Sequence, residues 1–202
     1  MNPSEVPVTG EWQELKVGEG LVRYFEVGAG QPLVLIHGLS GSVRWWERNL
    51  EFLAQTFRVY ALDLLEYGEG SARLQFALRK APQRIAEWMR ACGLQRASVI
   101  GHSMGGAIAA ELAADYPELV QRLILANAAA AFLRSWLPLS PDAFVRNAPH
   151  FPQDLIPLLI QDAVRTGPRV LFRATKDLLM SDLRAKLPLI QAPTLVIWGI
   201  YD

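Results

Sequence analysis

Residues 98–107 read SVIGHSMGGA, and this short stretch joins three signals. Ser98–Ile100, with Ala97 before them, form a brief apolar run, the pattern of a strand covered on both faces. Gly101, Gly105 and Gly106 fence Ser103. Residues 104–115 are rich in alanine, with Ile108 and Leu112 one helical turn apart. Strand, sharp bend and helix, with a serine at the bend, is the context that a G-x-S-x-G nucleophile elbow requires. A bend that tight strains the serine backbone and presses the residues two before and two after it together. A Cβ at 101 or 105 is therefore expected to clash. Ser103 would stand at a helix N-terminus, where free N–H groups favour developing negative charge. A serine hydroxyl is a poor nucleophile until a base takes its proton, so the reading turns on where that base lies.

Outward from the bend the chain alternates. Residues 11–27 read as two strands around a Gly18-Glu19-Gly20 turn. LVLI (33–36), VYAL (59–62), LILA (123–126) and LVIW (195–198) are further continuous apolar runs. Trp46, Leu50, Leu53 and Phe57 recur at helical spacing, as do Ile85, Trp88, Met89 and Cys92, with Gly93 as a stop signal. Strand and helix in alternation predict an α/β fold, a mostly parallel sheet with flanking helices and right-handed crossovers. Residues 128–190 break the pattern: they show no strand, seven prolines and two long helical pieces, DLIPLLIQDAVRTG and RVLFRATKDLLMSDLRAKL. They read as a helical insertion over one edge of the sheet.

Twenty basic and twenty acidic residues in 202 cancel, which argues against a nucleic-acid or anionic-membrane binder. No apolar stretch reaches the ~20 residues of a membrane span. MNPSEVPVTGEW has neither the basic nor the apolar region of a signal peptide. The lone cysteine, Cys92, excludes an internal disulfide; with Ile85, Trp88 and Met89 it reads as core. The expected setting is cytoplasmic, the expected partner a small-molecule substrate, and no metal or cofactor is expected.

His37-Gly38-Leu39 follows the apolar run 33–36. Acyl transfer needs two backbone N–H donors aimed at the oxyanion. Met104 N–H, next to the nucleophile, and Leu39 N–H, with Gly38 permitting close approach, are the candidates. Of three histidines, His37 sits in this loop and His102 in the elbow, and both read as scaffold hydrogen-bonding groups. His150 lies in NAPHFP within the insertion. Asp63 reads as a structural hydrogen-bonding group. The first histidine loop, Ser103 and the chain end at Asp202 all follow apolar runs, which places them on the carboxyl rim of the sheet, where open α/β folds bind ligands.

HGLSG, YALDL, GHSMGG and PTLVIWG resemble the α/β-hydrolase superfamily in order and spacing, over residues 11 to 202. The resemblance is nearest to single-domain, esterase-like hydrolases. It implies a hydrolase core in 1–127, a helical cap in 128–190 between strands six and seven, and core strand seven in 191–202. It implies that Asp202, in Trp198-Gly199-Ile200-Tyr201-Asp202, is the catalytic acid. It also implies a histidine beyond Asp202, after an eighth strand. No residue of this chain matches that histidine, so the chain is expected to stop short of it, of the last strand and of the last helix. TLVIW (194–198) is then expected to be an uncovered apolar edge. DLLEYGEGS (63–71) departs from the family pattern by replacing a glycine with Glu66 and adding a residue before Ser71.

The resemblance implies a serine hydrolase acting on a small carboxylic ester or related carbonyl compound. Aspartate-nucleophile relatives are disfavoured by Ser103. Acyl transfer and haloperoxidase-like chemistry would use the same residues. The alternative is a catalytically impaired or non-catalytic binding protein of the same fold, supported by the unmatched histidine. A dinucleotide-binding reading is set aside because the glycine spacing around Ser103 is wrong for it.

Overall fold

The structure, a computed structural model, describes residues 9–18, 20–64, 78–129 and 153–199. Its core is a seven-stranded sheet in the order β1-β2-β4-β3-β5-β6-β7. β1 (Glu11–Val17) and β2 (Gly20–Val27) form the expected hairpin, antiparallel from Glu11↔Glu26 to Val17↔Gly20. β2 then pairs antiparallel with β4 (Phe57–Asp63). β3 (Gln31–Ile36), β4, β5 (Ala97–His102), β6 (Val120–Ala126) and β7 (Thr194–Ile197) are all parallel to one another.

The continuous apolar runs of β3 and β4 have the predicted cause. In β3, Leu33 and Leu35 face one layer with Val59, Ala61 and Leu50, while Val34 and Ile36 face the other with Tyr60, Leu62 and Ile108. A strand with helices on both sides has no solvent face, so the usual alternation disappears. α1 (Glu47–Ala54) covers the first layer. It follows a short 3-10 turn, Val43–Trp46, and ends before Phe57, which opens β4 instead of continuing the helix.

α2 (Ala81–Ala91) and α3 (Met104–Asp115) cover the second layer. α2 buries Trp88, which meets Tyr24 and Tyr60 edge-on at centroid distances of 5.1 and 5.8 Å. Gly93 ends α2 at φ 72°; Leu94 N–H reaches Met89 O and Gly93 N–H reaches Arg90 O, the paired bonds of a Schellman cap. Cys92 packs against this core, with its Sγ 3.7 Å from the Tyr24 hydroxyl, and burial pushes its thiol pKa up. α3 is buried almost all round; its alanines let its axis approach the sheet closely.

Between β6 and β7 the described residues hold helices and no strand: α4 (Ile156–Thr166) and α5 (Pro168–Leu179). The second helical piece was expected to continue to Leu187. It stops at Leu179, and at Ser181–Arg184 the Asp182 carboxylate takes the Arg184 N–H instead. β7 closes the described sheet with Leu195, Val196, Ile197 and Trp198 exposed, as expected of an uncovered edge. No described helix is long and apolar enough to cross a membrane.

Candidate active site

The sheet order fixes where a site can form. From β3 the chain moves to β4 on one side, then returns to β5 on the other. Between β3 and β5 the connections diverge, which opens a crevice at their carboxyl ends. The loop after β3 carries His37, Gly38 and Leu39; the bend after β5 carries Ser103.

Ser103 has φ 52° and ψ −118°, a region that side-chain-bearing residues avoid. Its surroundings hold it there. Ser103 N–H donates to Ala126 O at 3.1 Å, and Ser103 O accepts from Gly106 and Ala129 N–H, both at 2.9 Å. The glycines answer to close backbone approach. A Cβ on Gly101 would lie 2.3 Å from Gly105 O, and one on Gly105 would lie 2.2 Å from Ile36 O. The second contact joins the start of α3 directly to the end of β3, which the sequence did not reveal.

Gly38 completes the junction: a Cβ there would sit 3.1 Å from Ser103 Cβ. The loop and the bend are thus in contact. Leu39 and Met104 line one cavity, together with His37, Ser40, Gly41, Leu64, Thr166, Val170 and Ala174. Its lining is mostly apolar. Neither the Leu39 nor the Met104 amide donates to another described residue.

His37 is fully engaged. Its Nδ1 lies 2.8 Å from Gly38 O, and its Nε2 accepts from Leu64 N–H at 3.1 Å, which fixes the neutral ring with the proton on Nδ1. Burial holds its pKa below the ordinary histidine value. His102 is half-buried, with its ring edge-on to Trp45 at 5.7 Å. Asp63 is buried and paired with Arg165 at 2.6 Å, as a structural carboxylate is. Asp202, His150 and the departing loop 65–71 lie outside the described residues. Among the described residues no cluster of His, Cys, Asp or Glu could hold a metal ion.

Two features escaped the sequence reading. Asn127, at φ 43°, donates its N–H to Ile197 O and accepts Gly199 N–H on its side chain, tying the ends of β6 and β7 together. Asn tolerates that backbone region, and an Asn directly after an apolar run is the signal that was there to read. Asp162, on α4, is 1% exposed and accepts from Ser42, Arg44 and Trp45. Its signal was an acid inside the apolar piece DLIPLLIQDAVRTG, eight residues after Asp154 opens it.

The family model described as "alpha/beta hydrolase fold" matches residues 31–185. Among curated proteins, "Putative carbamate hydrolase RutD" of Yersinia enterocolitica is 31% identical over 210 residues, covering 89% of this chain and 75% of that protein. The dihydrolipoyllysine-residue acetyltransferase component of an acetoin cleaving system from Cupriavidus necator is 42% identical over 108 residues, covering 52% of this chain and 29% of that protein. The chain spans less than a third of the length of the first such relatives. A solved bacterial membrane phospholipase A superposes with a TM-score of 0.74 at 28% identity, over 94% of this chain and 70% of that one. The sheet order, the strained serine at the crevice and the match over residues 31–185 agree: this chain belongs to the α/β-hydrolase family.

Proposed function

We propose that the chain carries the nucleophile and oxyanion site of a serine hydrolase for small carboxylic esters or related carbonyl compounds. One observation carries the reading: Ser103 is held at positive φ against Gly38, at the one crevice that the sheet order creates. Ser40 and Asn127 also have positive φ, but Ser103 alone of the three sits in the bend between a strand and a helix, and strained residues of this kind cluster at active sites. The names of the relatives, a carbamate hydrolase, an acetyltransferase component and a phospholipase, all describe chemistry at a carbonyl carbon.

Ser103 Oγ adds to the carbonyl carbon while a base takes its proton. The Leu39 and Met104 N–H groups donate to the oxygen as it becomes negative. The carbon–oxygen bond to the alcohol breaks, and the alcohol leaves with that proton. Water then cleaves the acyl-serine to the acid and restores the hydroxyl. Removing one oxyanion donor typically costs about 10²–10³-fold in rate. His37 does not serve as the base, because both ring nitrogens are committed. Asp202 is the proposed acid that orients the base. Residues 128–190 are the proposed cap, whose helices α4 and α5 bring Thr166, Val170 and Ala174 to the cavity that Leu39 and Met104 line. The lone thiol, half-buried in the core, fits a cytoplasmic setting.

A second reading, a binding protein of the same fold, draws on the engagement of both His37 ring nitrogens. Incubation with p-nitrophenyl acetate separates the two. The hydrolase reading predicts an acetyl group on the peptide containing Ser103, absent in Ser103→Ala. A folded chain that binds the ester without acylation supports the binding protein.

A further inference from the structure

We propose that Asp162 is a positioning residue for the Ser103 site: from α4, its carboxylate fixes the loop that carries the Leu39 amide. The proposal rests on the reading of Ser103 as nucleophile, and its test lets the two fail separately. A buried carboxylate is costly unless hydrogen bonds replace its water. Asp162 meets that need with donors from one short stretch. Ser42 Oγ and Trp45 Nε1 donate to Oδ2 at 2.7 and 3.1 Å, and Arg44 donates to Oδ1 at 2.7 Å. All three follow directly on Ser40-Gly41, the end of the loop that borders Ser103.

The contact continues toward the nucleophile. The Trp45 ring lies over the loop so closely that a Cβ on Gly38 or Gly41 would come within 3.2 or 3.1 Å of it. The same ring meets His102 edge-on. Carboxylate, indole, Gly38 and Ser103 thus form one contiguous path. Tethering α4 to the core does not explain this arrangement, since Arg165–Asp63 and Arg48–Asp154 already join the same segment to it. What Asp162 adds is three bonds into one loop. An oxyanion donor misplaced by about 1 Å is enough to cost about 10²-fold in rate.

The test uses the intact chain. Amide hydrogen exchange in Asp162→Asn is expected to speed at residues 39–46 at least tenfold while residues 107–114 of α3 keep their protection. Phosphonylation of Ser103 by a small fluorophosphonate, with imidazole added as base, is expected to slow about 10- to 100-fold at saturation, with the half-saturating concentration within about twofold. Trp45→Phe keeps a ring and removes the indole donor; it is expected to shift both readouts the same way by less. The double variant is expected to be no slower than Asp162→Asn alone, because the two act through one bond. Unchanged exchange at 39–46 overturns the proposal. So does equal loosening of α3, or a saturating rate that survives while only half-saturation changes. If Asp162→Asn does not fold, Trp45→Phe decides by the same measurements. If the parent chain is not phosphonylated at all, the nucleophile reading fails and exchange alone decides whether Asp162 fixes the loop.

Discussion

Gly105→Ala sets two rules against each other. Gly105 is the second residue of α3, and helix propensity alone predicts that alanine there stabilises by up to ~1 kcal/mol. The geometry predicts the reverse. The new Cβ would lie 2.2 Å from Ile36 O, 2.5 Å from His37 O and 2.7 Å from Ile36 C, all backbone atoms of the β3 exit. No side chain can rotate away. Opening the shortest contact even to 3.0 Å requires about 0.8 Å of movement between α3 and β3. β3 is paired on both sides and α3 is buried, so neither yields cheaply. Overpacking a close-packed interior typically costs about 1–3 kcal/mol, and a backbone-on-backbone clash belongs at or above the upper end, about 3 kcal/mol. Gly93→Ala is the control: nothing lies within 4 Å, and only its φ of 72° opposes a side chain, at about 1–2 kcal/mol. Urea unfolding of the three proteins, followed by tryptophan fluorescence, measures both differences. The reasoning is refuted if Gly105→Ala is as stable as the parent, or loses no more than Gly93→Ala.

Other outcomes follow from the same contacts. His37 is held neutral below its ordinary value of 6.5, whereas the unfolded chain protonates it near 6.5. Its contribution is therefore complete above about pH 6.5 and is lost on acidification by at most ~1.4 kcal/mol per pH unit, until the folded pKa is reached. The stability of the parent should fall more steeply between pH 7.5 and 5.5 than that of His37→Gln; equal slopes contradict the assignment. Arg165→Met leaves the Asp63 carboxylate without its guanidinium. Breaking a buried pair costs about 3–5 kcal/mol; Arg165 is 29% exposed, so about 2 kcal/mol is expected from chemical denaturation. Trp88→Phe should cost well under the ~3–5 kcal/mol of Trp88→Ala, because the buried Nε1 makes no hydrogen bond to another described residue that the change would remove. Equal losses in the two variants would show that the indole itself is needed.

The parts that the sequence made legible are those with local causes. Apolar runs marked every strand from β3 to β7; in β3 and β4 the cause is burial on both faces, which leaves no room for alternation, whereas the run in β7 is exposed. The elbow was legible because a tight bend admits few residues besides glycine at 101 and 105. The hidden parts arise where distant segments meet. Asp162 finds its partners about 120 residues away, and nothing in a helical stretch announces a loop across the crevice. The contact of Gly105 with Ile36 depends on how close α3 lies to β3. The end of α5 at Leu179 was hidden as well, since the apolar spacing runs on while Asp182 diverts the backbone.

The central claim is the proposal that Ser103 is a nucleophile served by the Leu39 and Met104 amides. Mass spectrometry of the folded protein after exposure to a fluorophosphonate, with and without imidazole, tests it most directly. The account predicts a single adduct, on Ser103, formed faster with imidazole and absent from Ser103→Ala. A folded chain that takes no adduct at Ser103 under either condition, or one equally modified after Ser103→Ala, contradicts it.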